Sequence, residues 1–237
     1  MAMKSSLKVA DASPQPHYHG HRDRLKQRFQ AQGASGLADY ELLELILTYG
    51  IPRKDVKPIA KDLLQRFQTL SRVLGAPEKE LCAINGIGPG VVVYLKMLEA
   101  VVIRYRHEQV RERPAFSSRL EILDYLHAKL GHLTREEFHV LFLDVRHQVI
   151  TDACLATGTI NASAVYPREV VKAALEHGAS GLVLAHNHPS GEPQPSAADE
   201  ELTHILAQAT IPIGIHIYDH LIIGAGRHYS FRDKGKL

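Results

Sequence analysis

Apolar residues recur at helical spacing from Arg22 to about Arg113. Leu42, Leu43, Leu45, Ile46 and Leu47 make a strongly apolar helix behind an Asp39 cap, and Ile59, Leu63, Leu64 and Phe67 continue the pattern in the next helix. Pro77 opens a short helix reaching Ile84. After Asn85-Gly86-Ile87-Gly88-Pro89-Gly90, an apolar helix is predicted from about Val91 to Tyr105. Residues 22–113 therefore read as a compact all-α domain.

The pattern changes at Glu112-Arg113-Pro114, where proline blocks helix continuation, and the domain boundary is placed there. Residues 114–237 read as a helix (about Ser118 to Leu130), strands at Phe138 to Asp144 and Val149 to Thr157, and a helix from Pro167 to His177. A strand from Leu182 to Ala185, a helix from Ala197 to Ala209 and further strands complete the chain. Neighbouring strands without a crossover helix predict a mixed sheet flanked by helices, so the whole chain is expected to be α+β. Residues 1–21 lack either periodicity and read as a flexible arm, in which the alternating His17, His19 and His21 are ordinary tail residues.

Composition narrows the class. The 237 residues are 45% hydrophobic and 23% charged, as in ordinary soluble chains. No apolar run approaches the roughly 20 residues that span a bilayer, and residues 1–16 lack the apolar core of a secretory signal, so a cytoplasmic protein is expected. Cys82 and Cys154 form no metal-binding pair or disulfide framework and read as small buried hydrophobes. Charge is uneven: residues 1–113 carry 18 Lys and Arg against 12 Asp and Glu, while residues 114–237 carry 10 against 14. A basic half suits a polyanionic partner, although such an excess is also common on solvated surfaces.

The candidate chemistry lies in the acidic half. In Ala185-His186-Asn187-His188-Pro189-Ser190-Gly191, two histidines two residues apart leave the same side of an extended backbone. Seven residues later Ser196-Ala197-Ala198-Asp199 opens a helix, and the intervening loop is long enough to return Asp199 as a third ligand. Ser196 with Asp199 alone would be only a capping pair. Two imidazoles and a carboxylate together suit one catalytic Zn2+ per chain, with a fourth position left for water whose pKa falls to about 7. A general base must come from elsewhere in the fold, and the pair Glu136-Glu137 precedes the strand Phe138 to Leu143. Alternation allows only one of them to face the site, and periodicity does not choose.

These residues resemble the RadC family, also called UPF0758, whose C-terminal domain is of the JAMM/MPN-like metalloprotease type with a cytidine-deaminase-like fold. Tyr166-Pro167-Arg168-Glu169, Ala185 to Gly191, Pro195 to Asp199 and Asp219-His220 stand in the family's order. The resemblance implies zinc ligation by His186, His188 and Asp199, and oxyanion stabilisation by Ser196. Its Glu-x-Phe pattern selects Glu136, whereas aligning Leu141 to Asp144 with the Leu-x-x-Gly of other JAMM enzymes selects Glu137; Glu136 is slightly favoured. Residues 22–113 resemble the family's N-terminal region, where Leu81 to Gly90 looks like a helix-hairpin-helix. In such a motif, amides near Gly86, Gly88 and Gly90 would hold a nucleic-acid phosphate, although Pro89 removes one donor and the motif also serves as a plain interhelical turn.

The leading reading is a zinc-dependent metallopeptidase or isopeptidase acting on a protein or peptide, with a DNA contact in the N-terminal domain and no membrane association. The alternative is a DNA repair, recombination or uptake accessory protein whose zinc site is structural or vestigial. A nuclease ranks last because no Lys or Arg occurs between residues 173 and 226 to clamp phosphate. The later histidines His216 and His220 read first as structural, with His220 beside Asp219 also placed to orient a ligand.

Overall fold

A computed structural model describes residues 18–111, 115, 119–158 and 165–237. The proposed boundary at 112–114, His17 and most of the predicted arm lie outside these residues. The first helix, α1 (Tyr18–Gln32), begins before residue 22, so His19 and His21 belong to it rather than to a tail. His21 Nε2 lies 3.0 Å from the buried Glu44 carboxylate, an apolar-face partner that the polar residues around it do not advertise.

The helical half continues with α2 (Asp39–Gly50), α3 (Lys57–Phe67), α4 (Leu70–Gly75), α5 (Glu78–Cys82) and α6 (Pro89–Arg111). Ala38, not Asp39, occupies the cap of α2; its N–H donates to Glu41 Oε2 at 3.0 Å, which places Asp39 inside the first turn. Leu43, Leu47, Leu63, Leu81 and Leu95 are fully buried in one core. Each such side chain contributes roughly 1.5–3 kcal/mol relative to exposure. Helix α6 runs one and a half turns past its predicted end because Ile103 and Val110 enter a second core, against the sheet.

The second half contains α7 (Arg119–Leu130), β1 (Glu137–Leu143), β2 (Val149–Thr157), α8 (Pro167–Glu176), β3 (Gly181–Asn187), α9 (Ala197–Thr210), β4 (His216–Ile223) and β5 (His228–Ser230). The mixed sheet has the order β2-β1-β3-β4-β5. Only β3 and β4 pair in parallel, with α9 as their crossover. One sheet face buries Leu141, Val183, Ala185 and Leu221 against Ile122 and Leu126 of α7. The other buries Phe138, Val140, Leu182 and Leu184 against Val170 of α8 and Leu206 of α9. This is the expected α+β arrangement, with helices covering both faces.

Cys82 and Cys154 are both exposed, contrary to their reading as buried hydrophobes. Cys82 ends an exposed turn of α5, and Cys154 lies on β2, an edge strand with one unpaired side. Among the described residues no helix is long and apolar enough to cross a membrane.

The two halves are joined at a close contact near the candidate site. His132 follows α7 and lies so near Gly75 that a Cβ there would stand 2.0 Å from the His132 ring. His132 Nε2 lies 2.9 Å from Glu99 Oε1 on α6, and Lys96 Nζ donates to both Glu99 Oε2 at 2.9 Å and the Leu74 carbonyl at 2.8 Å. Glycine at position 75 thus admits the imidazole that ties α4 and α6 to the sheet half.

Candidate metal centre

All seven residues of β3 are buried, and its alternation sends Leu182, Leu184 and His186 to the face covered by α8 and α9. His188 follows two residues later on the same side; its N–H donates to the Ile223 carbonyl at 2.9 Å, extending the pairing with β4. The chain then turns at Gly191, whose φ of 82° suits glycine and whose N–H donates to the His188 carbonyl at 2.9 Å. A Cβ on Gly224 would stand 2.4 Å from the Gly191 carbonyl oxygen, so two glycines allow these loops to touch.

Ser196 caps α9, and Asp199 is both capping partner and candidate ligand. The Ser196 N–H and Oγ–H each donate to Asp199 Oδ2 at 2.7 Å, while Asp199 N–H donates to Ser196 Oγ at 3.2 Å. The helix N-terminus favours this anion. Asp199 Oδ1 is left buried without a hydrogen-bond partner, 3.3 Å from His186 Nε2. His188 Nε2 lies 3.1 Å from His186 Nε2 and 3.6 Å from Asp199 Oδ2. A tetrahedral zinc with ligand bonds near 2.05 Å holds its donors about 3.3 Å apart, within the range spanned here.

Hydrogen bonds assign the imidazole tautomers. Thr203 Oγ1–H donates to the Asp199 carbonyl at 2.5 Å, so Thr203 Oγ1 accepts from His220 Nδ1–H at 2.6 Å. His220 Nε2 then accepts from His186 Nδ1–H at 2.8 Å, which leaves the His186 Nε2 lone pair facing the ligand cluster. His188 Nδ1–H donates to the Glu192 carbonyl at 2.9 Å, and its Nε2 lone pair faces the same point. Two imidazole lone pairs and a carboxylate oxygen converging in this way could hold a cation among them, and the donor set fits zinc.

Electrostatics keep His186 and His220 neutral, while without an ion the proton on His188 is favoured by Asp199. Burial pushes His186 down to about 4, with Asp199 opposing, and burial holds His220 well below the ordinary imidazole range. His188 is raised, first by its pairing with Asp199 and last by the charge of Glu136. For Asp199, burial alone would raise the carboxyl, but His188, His186 and Ser196 together bring it below the usual range.

The glutamate pair is divided at the strand edge. Glu136 stands one residue before β1 and its charge acts on His188, whereas Glu137, the first residue of β1, shares the side of His139 and accepts from its Nε2–H at 2.9 Å. Asn187, between the two ligand histidines, points to the opposite side. Its Nδ2 donates to the Arg135 carbonyl at 2.9 Å, and its Oδ1 accepts from Glu137 N–H at 2.9 Å. It therefore straps the segment carrying Glu136 to the strand carrying the ligands. Neither Asn187 nor Thr203 stands out in the sequence, because their partners are backbone groups or residues far along the chain.

A cleft of about 330 Å³ opens beside His188, lined also by His132 and Thr134 and, from the helical half, by Arg66, Arg72 and Glu80. The cations missing from the sequence around the ligands thus come from α3 and α4. Arg66 is matched by Glu80 at 3.4 Å, while Arg72 Nη1 donates to Gln68 at 3.3 Å. His216 begins β4 in an exposed position. In the hairpin, Gly86 has a φ of 92° and a Cβ there would stand 2.7 Å from Ile59, so the fold itself requires this glycine. Nothing lies within 4 Å of a Cβ on Gly88 or Gly90.

Comparison with known protein families gives two matches. Residues 116–236 match the RadC-like JAB domain, and residues 19–93 match the UPF0758 N-terminal region.

Proposed function

Because this chain belongs to the RadC-like JAB domain family, we propose that it is a zinc-dependent metallohydrolase of the JAMM type that cleaves amide bonds in peptides or isopeptides. The observation that carries this reading is the convergence of His186 Nε2, His188 Nε2 and an otherwise unpartnered Asp199 oxygen at the edge of an open cleft. Three protein ligands leave a tetrahedral ion one position for exchange. When bound, zinc supplies Lewis acidity toward a carbonyl and lowers the pKa of water.

The remaining work belongs to the chain. His186 and His188 present neutral nitrogens whose tautomers are held by His220 and the Glu192 carbonyl. Glu136 takes a proton from the attacking water and returns it to the leaving amine. Ser196 steadies the developing oxyanion; its hydroxyl, which donates to Asp199 Oδ2 in the resting arrangement, rotates to donate to the substrate and keeps its proton. The peptide occupies the cleft between Thr134, His188 and the α3–α4 wall.

The test is a panel of peptide and isopeptide substrates assayed with zinc-loaded native protein, Glu136→Gln and His188→Ala. Native protein cleaves a member of the panel; His188→Ala loses both ion and activity. Glu136→Gln keeps the ion and loses about 10²–10⁴-fold in turnover. Native protein holding its ion but inert across the panel, or turnover indifferent to both substitutions, would overturn the reading.

The second reading, a DNA-associated accessory role, is favoured by the hairpin, where Gly88 and Gly90 leave room for a phosphate to approach the start of α6. Duplex binding by the full chain that weakens steeply with salt, in the absence of any hydrolysis, would support it.

A further inference from the structure

We propose a second cation site, on the opposite face of the sheet from His186, in which Glu137, His139 and Cys154 hold a thiophilic divalent ion such as zinc. One donor atom from each residue lies within 4.8 Å of the other two. His139 and Cys154 are partners across the β1–β2 ladder, and Glu137 is two residues before His139 on the same side. Two independent strands therefore fix the three donors, and no loop has to close around them.

His139 is only 3% exposed, so its ring orientation is set by the core. Its Nε2 lies 2.9 Å from Glu137 Oε2, with the Cys154 sulfur 3.9 Å from the same oxygen. Its other nitrogen, Nδ1, is buried without a hydrogen bond and lies 3.6 Å from Asp152 Oδ2. Asp152 is itself fixed by Tyr125 Oη at 2.8 Å and by Lys129. A carboxylate behind the far nitrogen of an imidazole is the arrangement that orients a metal-bound histidine and selects its tautomer.

The charges balance. Lys129 matches Asp152, so that pair adds no net charge, and the ion meets one carboxylate, one thiolate and one neutral imidazole. Binding releases the Cys154 thiol proton to solvent, and the single imidazole proton resides on Nδ1, toward Asp152. Thiolate and imidazole together favour zinc and similar borderline ions over magnesium or calcium. Cys154 is exposed and Glu137 half-buried, which leaves the fourth position open to water or an incoming ligand. Glu137, inside β1 beside His139, thus belongs to this second ion.

The experiment uses full-length protein freed of metal by chelation and titrated with Co2+, reading bound ions per chain and the near-ultraviolet thiolate-to-cobalt charge-transfer band. Native protein is expected to bind two ions and show the band. Asp199→Asn retains one ion with the band, whereas Cys154→Ser and His139→Gln each retain one ion without it. Cys82→Ser, carrying the other exposed thiol, keeps both ions and the band. Native protein without the band, or a band that survives Cys154→Ser, would overturn the proposal; a single ion with a band that Cys154→Ser abolishes would instead count against the His186 site. Circular dichroism of each variant confirms that a lost ion reflects a lost ligand, with Cys154→Ser, at an exposed position, the decisive variant if His139→Gln misfolds.

Discussion

His186 Nδ1 donates to His220 Nε2 across 2.8 Å, and this bond determines which nitrogen of His186 faces His188 and Asp199. The bond is the last link of a chain that starts at the Asp199 carbonyl and passes through Thr203 and His220. A ligand residue thus orients another ligand through its own backbone.

Replacing Thr203 with valine keeps the shape and removes the hydroxyl on which the tautomer of His220 depends. Zinc affinity is expected to fall by about 10–100-fold, the usual consequence of losing such an orienting partner. Competition with a chromophoric chelator measures it, and an affinity equal to that of native protein would refute the relay.

Asn187→Ala removes the strap between β3 and the segment carrying Glu136. Leaving a buried N–H and carbonyl unmatched costs about 1–3 kcal/mol of stability. Ion stoichiometry should stay native while turnover falls, because the ligands remain and the base loses its support. Chemical denaturation and metal analysis on one preparation separate the effects; loss of an ion would show that Asn187 acts on the ligands instead.

Much of this was legible in the sequence. The apolar run Leu182 to Ala185, the two histidines in one alternation register and the Ser-x-x-Asp helix start are local patterns, and local patterns survive folding. The partners of those residues were not legible. His220 resembled a structural histidine because its role depends on β4 lying parallel to β3, and Asn187 acts across a strand pair 50 residues apart in sequence. Cys154 was misread because cysteine composition does not reveal that β2 is an edge strand. The α2 cap moved by one residue because the Glu41 carboxylate satisfies the Ala38 N–H without any capping side chain at 38.

Gly75→Ala would force a methyl group against the His132 ring, where there is no room. Displacing that ring from Glu99 should cost about 1–3 kcal/mol by overpacking. Thermal unfolding of the variant tests this, and native stability would show that the halves do not depend on the contact.

Glu99 also predicts an acid dependence. Burial alone would raise its carboxyl, but His132 and Lys96 bring it below the usual glutamate value. A depressed folded-state pKa stabilises the protein above the unfolded value near 4.5, and the contribution disappears as pH falls through the lower folded value. Glu99→Gln should therefore be destabilised by about 1–3 kcal/mol at neutral pH, with the difference from native protein shrinking in that acid window. Denaturant midpoints at several pH values decide; a constant difference would point to packing alone.

The central claim is that His186, His188 and Asp199 share one ion, and zinc binding to Asp199→Asn tests it most directly. Asparagine keeps a side-chain oxygen and caps helices well, but removes the negative charge from the cluster. The account predicts a folded protein that has lost one zinc per chain at concentrations that saturate the native site. A variant that binds as many ions as native protein, with the same affinity, would contradict it.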